Sequence, residues 1–167
     1  MQRQLITGAK RIVLKIGSSL VASPNLGLRH DLIQQLSHDI AELKNRQCEI
    51  VLVSSGAIVA GIEKLGLKSY PQSIPLKQAA AATGQSHLVH AYEKCFQEAG
   101  QIVAQILLTH QDLTDRKRFL NARNTLTALI EMGVIPIINE NDTVSVEEIR
   151  FGDNDTLAGQ VAHLVDA

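Results

Sequence analysis

Tryptophan is absent from the 167 residues, and only two tyrosines and three phenylalanines occur. With aromatics at 3 %, the chain has no evident platform for stacking nucleobases. Charge of one sign is missing too: 16 basic residues face 17 acidic ones, for a net charge of -1. That balance gives no general reason to expect a nucleic acid or an anionic membrane as partner. The two cysteines, Cys48 and Cys95, are too few and too far apart for a disulfide scaffold or a zinc pattern, so two reduced thiols are expected. No apolar run reaches the roughly 20 residues of a membrane span, and Met1 to Lys10 lacks the apolar stretch of a signal peptide, so a cytoplasmic location is expected. The six histidines show no metal-ligand spacing; His87 and His90 are three apart without an evident third ligand, and no metal site is assigned.

What the chain does have is 45 % hydrophobic residues arranged in alternating short and long runs. Arg11 to Ile16, Glu49 to Val53, Gln101 to Leu108 and Val134 to Ile138 read as strands, and the β-branched run at 49–53 suits a strand buried on both faces. Between them, Leu28, Leu32, Leu36, Ile40 and Leu43 recur at helical spacing, as do Ile58, Ile62 and Leu65 up to Gly66. Leu76 to Ala99 is a long helical pattern; whether Gly84-Gln85 inside it serves an interface or a packed helix is left open. Phe119, Ala122, Leu126, Leu129 and Ile130 mark another helix, and Asp153 begins a last one carrying Leu157, Val161 and Leu164. Leu67 to Pro75 is expected to be a loop, and Thr143 to Phe151 a short hairpin or ribbon. The order predicts an α/β fold: a mainly parallel sheet sandwiched by helices.

Ligands of such sheets bind outside the carboxyl ends of the strands. Four polar strings fall there. At Lys15-Ile16-Gly17-Ser18-Ser19, Gly17 permits close backbone approach and Lys15 offers a point charge, though a polar turn with a surface lysine is an equal reading. Ser54-Ser55-Gly56-Ala57 joins a strand to a helix, where Ser55 is either an N-cap or part of an anion site. Asn139-Glu140-Asn141-Asp142 places four hydrogen-bonding side chains directly after an apolar strand. Gly152-Asp153-Asn154-Asp155 opens the last helix with more polar groups than a cap requires. Asp115-Arg116-Lys117-Arg118 reads as a solvated helix start. Neither a P-loop nor a dinucleotide fingerprint occurs, which argues against a Rossmann dehydrogenase.

Taken in order, these strings, with Phe119-Leu120-Asn121-Ala122-Arg123, resemble the glutamate 5-kinases within the amino-acid kinase family. The resemblance covers nearly the whole chain. It implies ATP-dependent phosphorylation of the glutamate side-chain carboxylate, the entry to proline synthesis, with Mg2+. By the resemblance, Lys15 and Asp155 are catalytic, Lys15 facing the ATP phosphates with Gly17 beside it and Asp155 organising the lysine. Ser55, Asp142, Asn154 and Asn139 match the glutamate-binding positions. L-glutamate and ATP are then the small-molecule partners, proline a feedback inhibitor, and a homo-oligomer is expected.

Arg150 stands where the family often carries lysine. The segments that hold the nucleotide in this family are not matched within residues 1–167. The expectation is therefore a partial kinase domain, the glutamate-binding half without the nucleotide-binding half, inactive alone. A non-catalytic amino-acid-sensing or assembly module, and a related acyl-phosphate-forming kinase, are the alternatives.

Overall fold

A computed structural model describes residues 8–23, 27–145 and 153–167. Four parallel strands form the main sheet: β1 (Arg11–Ile16), β4 (Glu49–Ser54), β6 (Ile135–Glu140) and β5 (Val103–Leu108), side by side in that order. A separate antiparallel pair, β2 (Ala22–Ser23) and β3 (Gly27–Leu28), follows the short helix α1 (Ser18–Val21). The other helices are α2 (His30–Asn45), α3 (Ala57–Leu65), α4 (Ile74–Glu98), α5 (His110–Thr114), α6 (Arg116–Glu131) and α7 (Asp153–Leu164).

Alternation along each strand divides the core in two. Ile50 and Leu52 of β4 and Ile135 and Ile137 of β6 point to one side, where Leu88, Tyr92 and Phe96 of α4 and Ile33 and Ile40 of α2 cover them. Val51, Val53 and Ile138 point to the other, under Leu126 and Ile130 of α6 and Leu157, Val161 and Leu164 of α7. Both faces of the sheet are thus covered, as the near-continuous apolar strands require.

The register sets the site. Ile16 lies opposite Ser54, and Leu107 opposite Asn139. With Val53 opposite Ile138, Ser54 and Asn139 emerge together at the carboxyl ends of the two central strands.

Several expectations shift. The helix expected from Leu28 begins at His30, because Leu28 belongs to β3, whose backbone N–H donates to Glu63 at 3.0 Å. The strand expected from Gln101 starts at Val103, and that expected over 134–138 runs instead from Ile135 to Glu140. Pro75, read as a loop breaker, sits in the first turn of α4, where no intrahelical N–H is required. The short elements α1, β2, β3 and α5 were not expected; none is long enough to show a period. The expected ribbon over 143–151 lies mostly outside the described residues, and so does Arg150.

Candidate functional site

The helix that closes the site is fixed from below. Leu157, Val161 and Leu164 form one buried stripe of α7, and burying it against the sheet brings the first turn of the helix to the carboxyl ends of β1 and β4. There Asn154 spans two strands. Its Nδ2 donates to Ser55 Oγ at 2.6 Å and to Asn139 Oδ1 at 2.9 Å. Asn139 is 5 % exposed, and its Oδ1 also accepts the backbone N–H of Glu140 at 2.9 Å. The second amide atom of Asn154, Oδ1, is buried without a hydrogen-bond partner among the described residues. A buried carbonyl oxygen with no donor is costly unless something else supplies one.

Ser55 is not a helix cap. The N-cap position of α3 is Gly56, at φ 107°, a left-handed conformation that favours glycine. That twist leaves the Ser55 hydroxyl to Asn154, and the Ser55 backbone N–H donates to Ile16 O at 3.0 Å. The neighbouring Ser54 is fully buried, with its hydroxyl 3.0 Å from that of Tyr92. Burial pushes the Tyr92 phenol up to about 12, against a smaller downward pull from the Ser54 hydrogen bond.

One residue along the same helix turn, Asp155 meets Lys15: Oδ1 lies 2.6 Å from Nζ. Strand alternation puts Lys15 on the side of Val13, which packs against the α6/α7 cluster, so lysine and aspartate approach on the same face. Gly17 is extended at φ -71°, a conformation open to any residue, so its lack of a side chain is not a backbone necessity. Its bare Cα does lie beside the lysine amine, 3.6 Å from where a Cβ would stand.

Asp142 comes to the same end of the sheet in the turn after β6. Burial, and after it the negative charge of Asp142, raises the Tyr70 phenol. The turn is tied down by Gln78 Nε2, which donates to Ser145 O at 3.2 Å. The structure thus joins Ser55, Asn139 and Asn154 through direct hydrogen bonds and Lys15 with Asp155 through an ion pair. Asp142 follows Asn139 in the turn after β6.

The residue missed by sequence reasoning as part of this region is Tyr92; its spacing on α4 was legible, its polar contact was not. Asp115, read within a solvated helix start, caps α6 by accepting the Arg118 N–H at 2.9 Å. His87 and His90 face different carboxylates, Glu63 and Glu93, and the described residues contain no cluster of three or more metal-ligating side chains. Cys48 and Cys95 are both free, and burial raises both thiols. Among the described residues no helix is long and apolar enough to cross a membrane.

Small polar side chains and one lysine thus stand at the carboxyl ends of a parallel sheet, the place where α/β proteins of this kind bind ligands. The chain belongs to the amino acid kinase family, whose profile matches residues 10–167. It is 54 % identical over 164 residues to a glutamate 5-kinase of Burkholderia thailandensis, covering 98 % of this chain and 44 % of that protein. A Clostridium acetobutylicum glutamate 5-kinase is 51 % identical, with 99 % and 62 % covered. The chain therefore spans about half the length of the curated relatives it matches. Among solved structures, a Giardia carbamate kinase superposes with a TM-score of 0.63 at 11 % identity, over 96 % of this chain and 72 % of that one, which shows the same fold.

Proposed function

We propose that these residues form the amino-acid side of a glutamate 5-kinase, which transfers the γ-phosphoryl group of ATP to the side-chain carboxylate of L-glutamate. The observation that carries the reading is Asn154, which links Ser55 and Asn139 while its own Oδ1 stays buried and unpaired. An α-ammonium group supplies the donors that this oxygen lacks, with the charge of Asp142 on the same rim. Ser55 and the backbone beside Gly56 offer donors to the α-carboxylate.

The chemistry follows from charge. A glutamate carboxylate is ionised at neutral pH, with an ordinary pKa of about 4.3, so no general base is required. It attacks the γ-phosphorus as the bond to the β–γ bridging oxygen breaks and ADP leaves. Two anions must approach, and Lys15 is the cation placed to offset that repulsion. Asp155 positions the amine at 2.6 Å. Magnesium, carried on the nucleotide phosphates, would offset part of their charge. The nucleotide-binding half belongs, in this reading, to the remainder of a chain of the relatives' length. Proline, a smaller α-amino acid zwitterion, fits the same groups as a feedback inhibitor; a homo-oligomeric state and a cytoplasmic location go with the family reading.

L-Glutamate is expected to raise the melting temperature of the 167-residue chain, the shift growing with the logarithm of its concentration above Kd. In a chain of the relatives' full length, MgATP, glutamate and hydroxylamine are expected to yield γ-glutamyl hydroxamate. Absence of both responses would sink the reading.

A further inference from the structure

Gln85 is 8 % exposed, and both its amide atoms, Nε2 and Oε1, are buried without a hydrogen-bond partner among the described residues. Leaving a donor and an acceptor unpaired costs about 1–3 kcal/mol each, so this is an expensive residue to keep inside a helix. Leucine or methionine would fill the same volume without that cost.

Its surroundings say what it faces. Gln78, Gln85 and Tyr92 recur every seven residues along α4, an interval over which a helix returns to within about 20° of the same direction. Gln78 reaches the turn after β6 through Ser145 O, and Tyr92 reaches the end of β4 through Ser54 Oγ. Gln85 stands between them on that face. Its neighbour Gly84 fixes the height independently: a Cβ there would lie 1.8 Å from Ala57 O, so this part of α4 is level with the first turn of α3, next to Ser55 and Gly56. Strand alternation puts Ser54 with Ile50 and Leu52, and Asn139 with Ile135 and Ile137, on the α4 side of the sheet. On that face and at that height, Gln85 lies on the α4 side of the strand ends that carry Ser54 and Asn139, level with the first turn of α3.

We propose that Gln85 is a substrate-binding residue of this pocket, its carboxamide paired with the α-amino-acid end of the ligand. The proposal rests on the glutamate reading above and adds to it a contact from the helix opposite α7. A carboxamide carries a donor and an acceptor side by side, and an amino acid carries a carboxylate and an ammonium group on one carbon. Nε2–H donates to the first, and Oε1 accepts from the second. The occupied pocket thus resolves both orphan atoms together.

The test is a calorimetric titration of the 167-residue chain with L-glutamate, alongside Gln85→Met, which keeps the length and removes both polar atoms. Affinity is expected to fall about 10- to 100-fold, the usual consequence of losing hydrogen bonds to charged groups. The unliganded variant is expected to melt no lower than wild type, since an unsatisfied buried amide has gone. Glutarate, which lacks the ammonium group, and 4-aminobutyrate, which lacks the α-carboxylate, are each expected to lose less affinity than glutamate. Should Gln85→Met not fold, Gln85→Glu carries the same comparison, with a larger expected loss because its carboxylate opposes the ligand's. Undiminished glutamate affinity in the variant overturns this proposal and leaves the glutamate reading standing. A lower melting temperature with equal losses for all three ligands makes Gln85 a packing residue and overturns it as well. No binding to wild type overturns this proposal, and hydroxamate formation by a chain of the relatives' length then decides the glutamate reading.

Discussion

Asn154 Nδ2 stands 2.6 Å from Ser55 Oγ, joining residues 99 apart in the chain. The contact exists because α7 is held by its apolar stripe while β4 ends at the level of its first turn, so it reports on the whole assembly of the site. Asn154→Ala removes a donor from two close acceptors and from the more distant Ser54 O at 3.5 Å; Asn139 Oδ1 keeps the Glu140 N–H, and the Ser55 hydroxyl reorients. The expected stability loss is therefore only about 1 kcal/mol, or roughly 2–4 °C. The shift produced by saturating glutamate is expected to vanish. Melting curves with and without ligand separate the two effects, and an intact glutamate-dependent shift would contradict the assignment.

Lys15 and Asp142 carry different roles in the proposed reading, the first toward the transferring phosphoryl group and the second toward the amino acid. In a kinase of the relatives' length carrying this segment, Lys15→Ala is expected to lower kcat by about 100-fold or more, the scale of a lost transition-state contact to developing charge, with little change in the KM for glutamate. Asp142→Ala is expected to do the reverse, raising the glutamate KM more than that for ATP. Steady-state kinetics in both substrates decide it. If the two variants showed the same pattern, the division of labour between cation and carboxylate would be wrong.

The strings Lys15–Ser19, Ser54–Ala57, Asn139–Asp142 and Asp153–Asp155 were legible as candidate segments because each breaks an apolar period at a strand end or a helix start. Their convergence was legible too, since a parallel sheet delivers every strand end to one side. What the sequence did not show is which atoms pair. Ser55 read more readily as an N-cap, and only the left-handed Gly56 decides that its hydroxyl serves Asn154 instead. Pro75 misled because a proline is tolerated in the first turn of a helix and excluded one turn later. The hairpin β2–β3 escaped notice because its pairing spans two residues on each side, too few for alternation to register.

Tyr92 gives the site's underside a pH signature. Its phenol sits at about 12 in the fold against about 10 in the unfolded chain, so the fold favours the protonated form. That contribution is complete below pH ~10 and declines as pH rises toward 12, by about 1.4 kcal/mol at pH ~11. Tyr92→Phe removes the bond to Ser54 and is expected to cost about 1 kcal/mol at neutral pH, since Ser54 retains its contact with Ser55 O. The gap between variant and wild type is then expected to close near pH ~11. Urea unfolding at pH 7, 9, 10 and 11 tests this; a gap constant with pH would mean that the Tyr92 phenol is not held protonated by the fold.

Glycine sets how closely α3 and α4 approach each other beside Ser55. A Cβ on Gly84 would lie 1.8 Å from Ala57 O and 2.4 Å from Gly61 N, and one on Gly61 would lie 1.8 Å from Ala80 O. These are backbone atoms, so no rotamer change relieves the overlap and the helices must separate. Alanine for a helical glycine ordinarily gains about 1 kcal/mol, whereas overpacking costs about 1–3 kcal/mol or more. With backbone on both sides the cost wins. Gly84→Ala is expected to destabilise by about 2 kcal/mol net, lowering the melting temperature by roughly 4–8 °C and weakening glutamate binding with it, because Gln85 and Ser55 move apart. Gly159 in α7 provides the control. A Cβ there meets nothing within 4 Å, so Gly159→Ala is expected to gain up to about 1 kcal/mol and leave binding unchanged. Thermal melts of the two variants decide whether contact or propensity governs, and a Gly84→Ala chain as stable as Gly159→Ala would show that the α3–α4 approach is looser than these distances require.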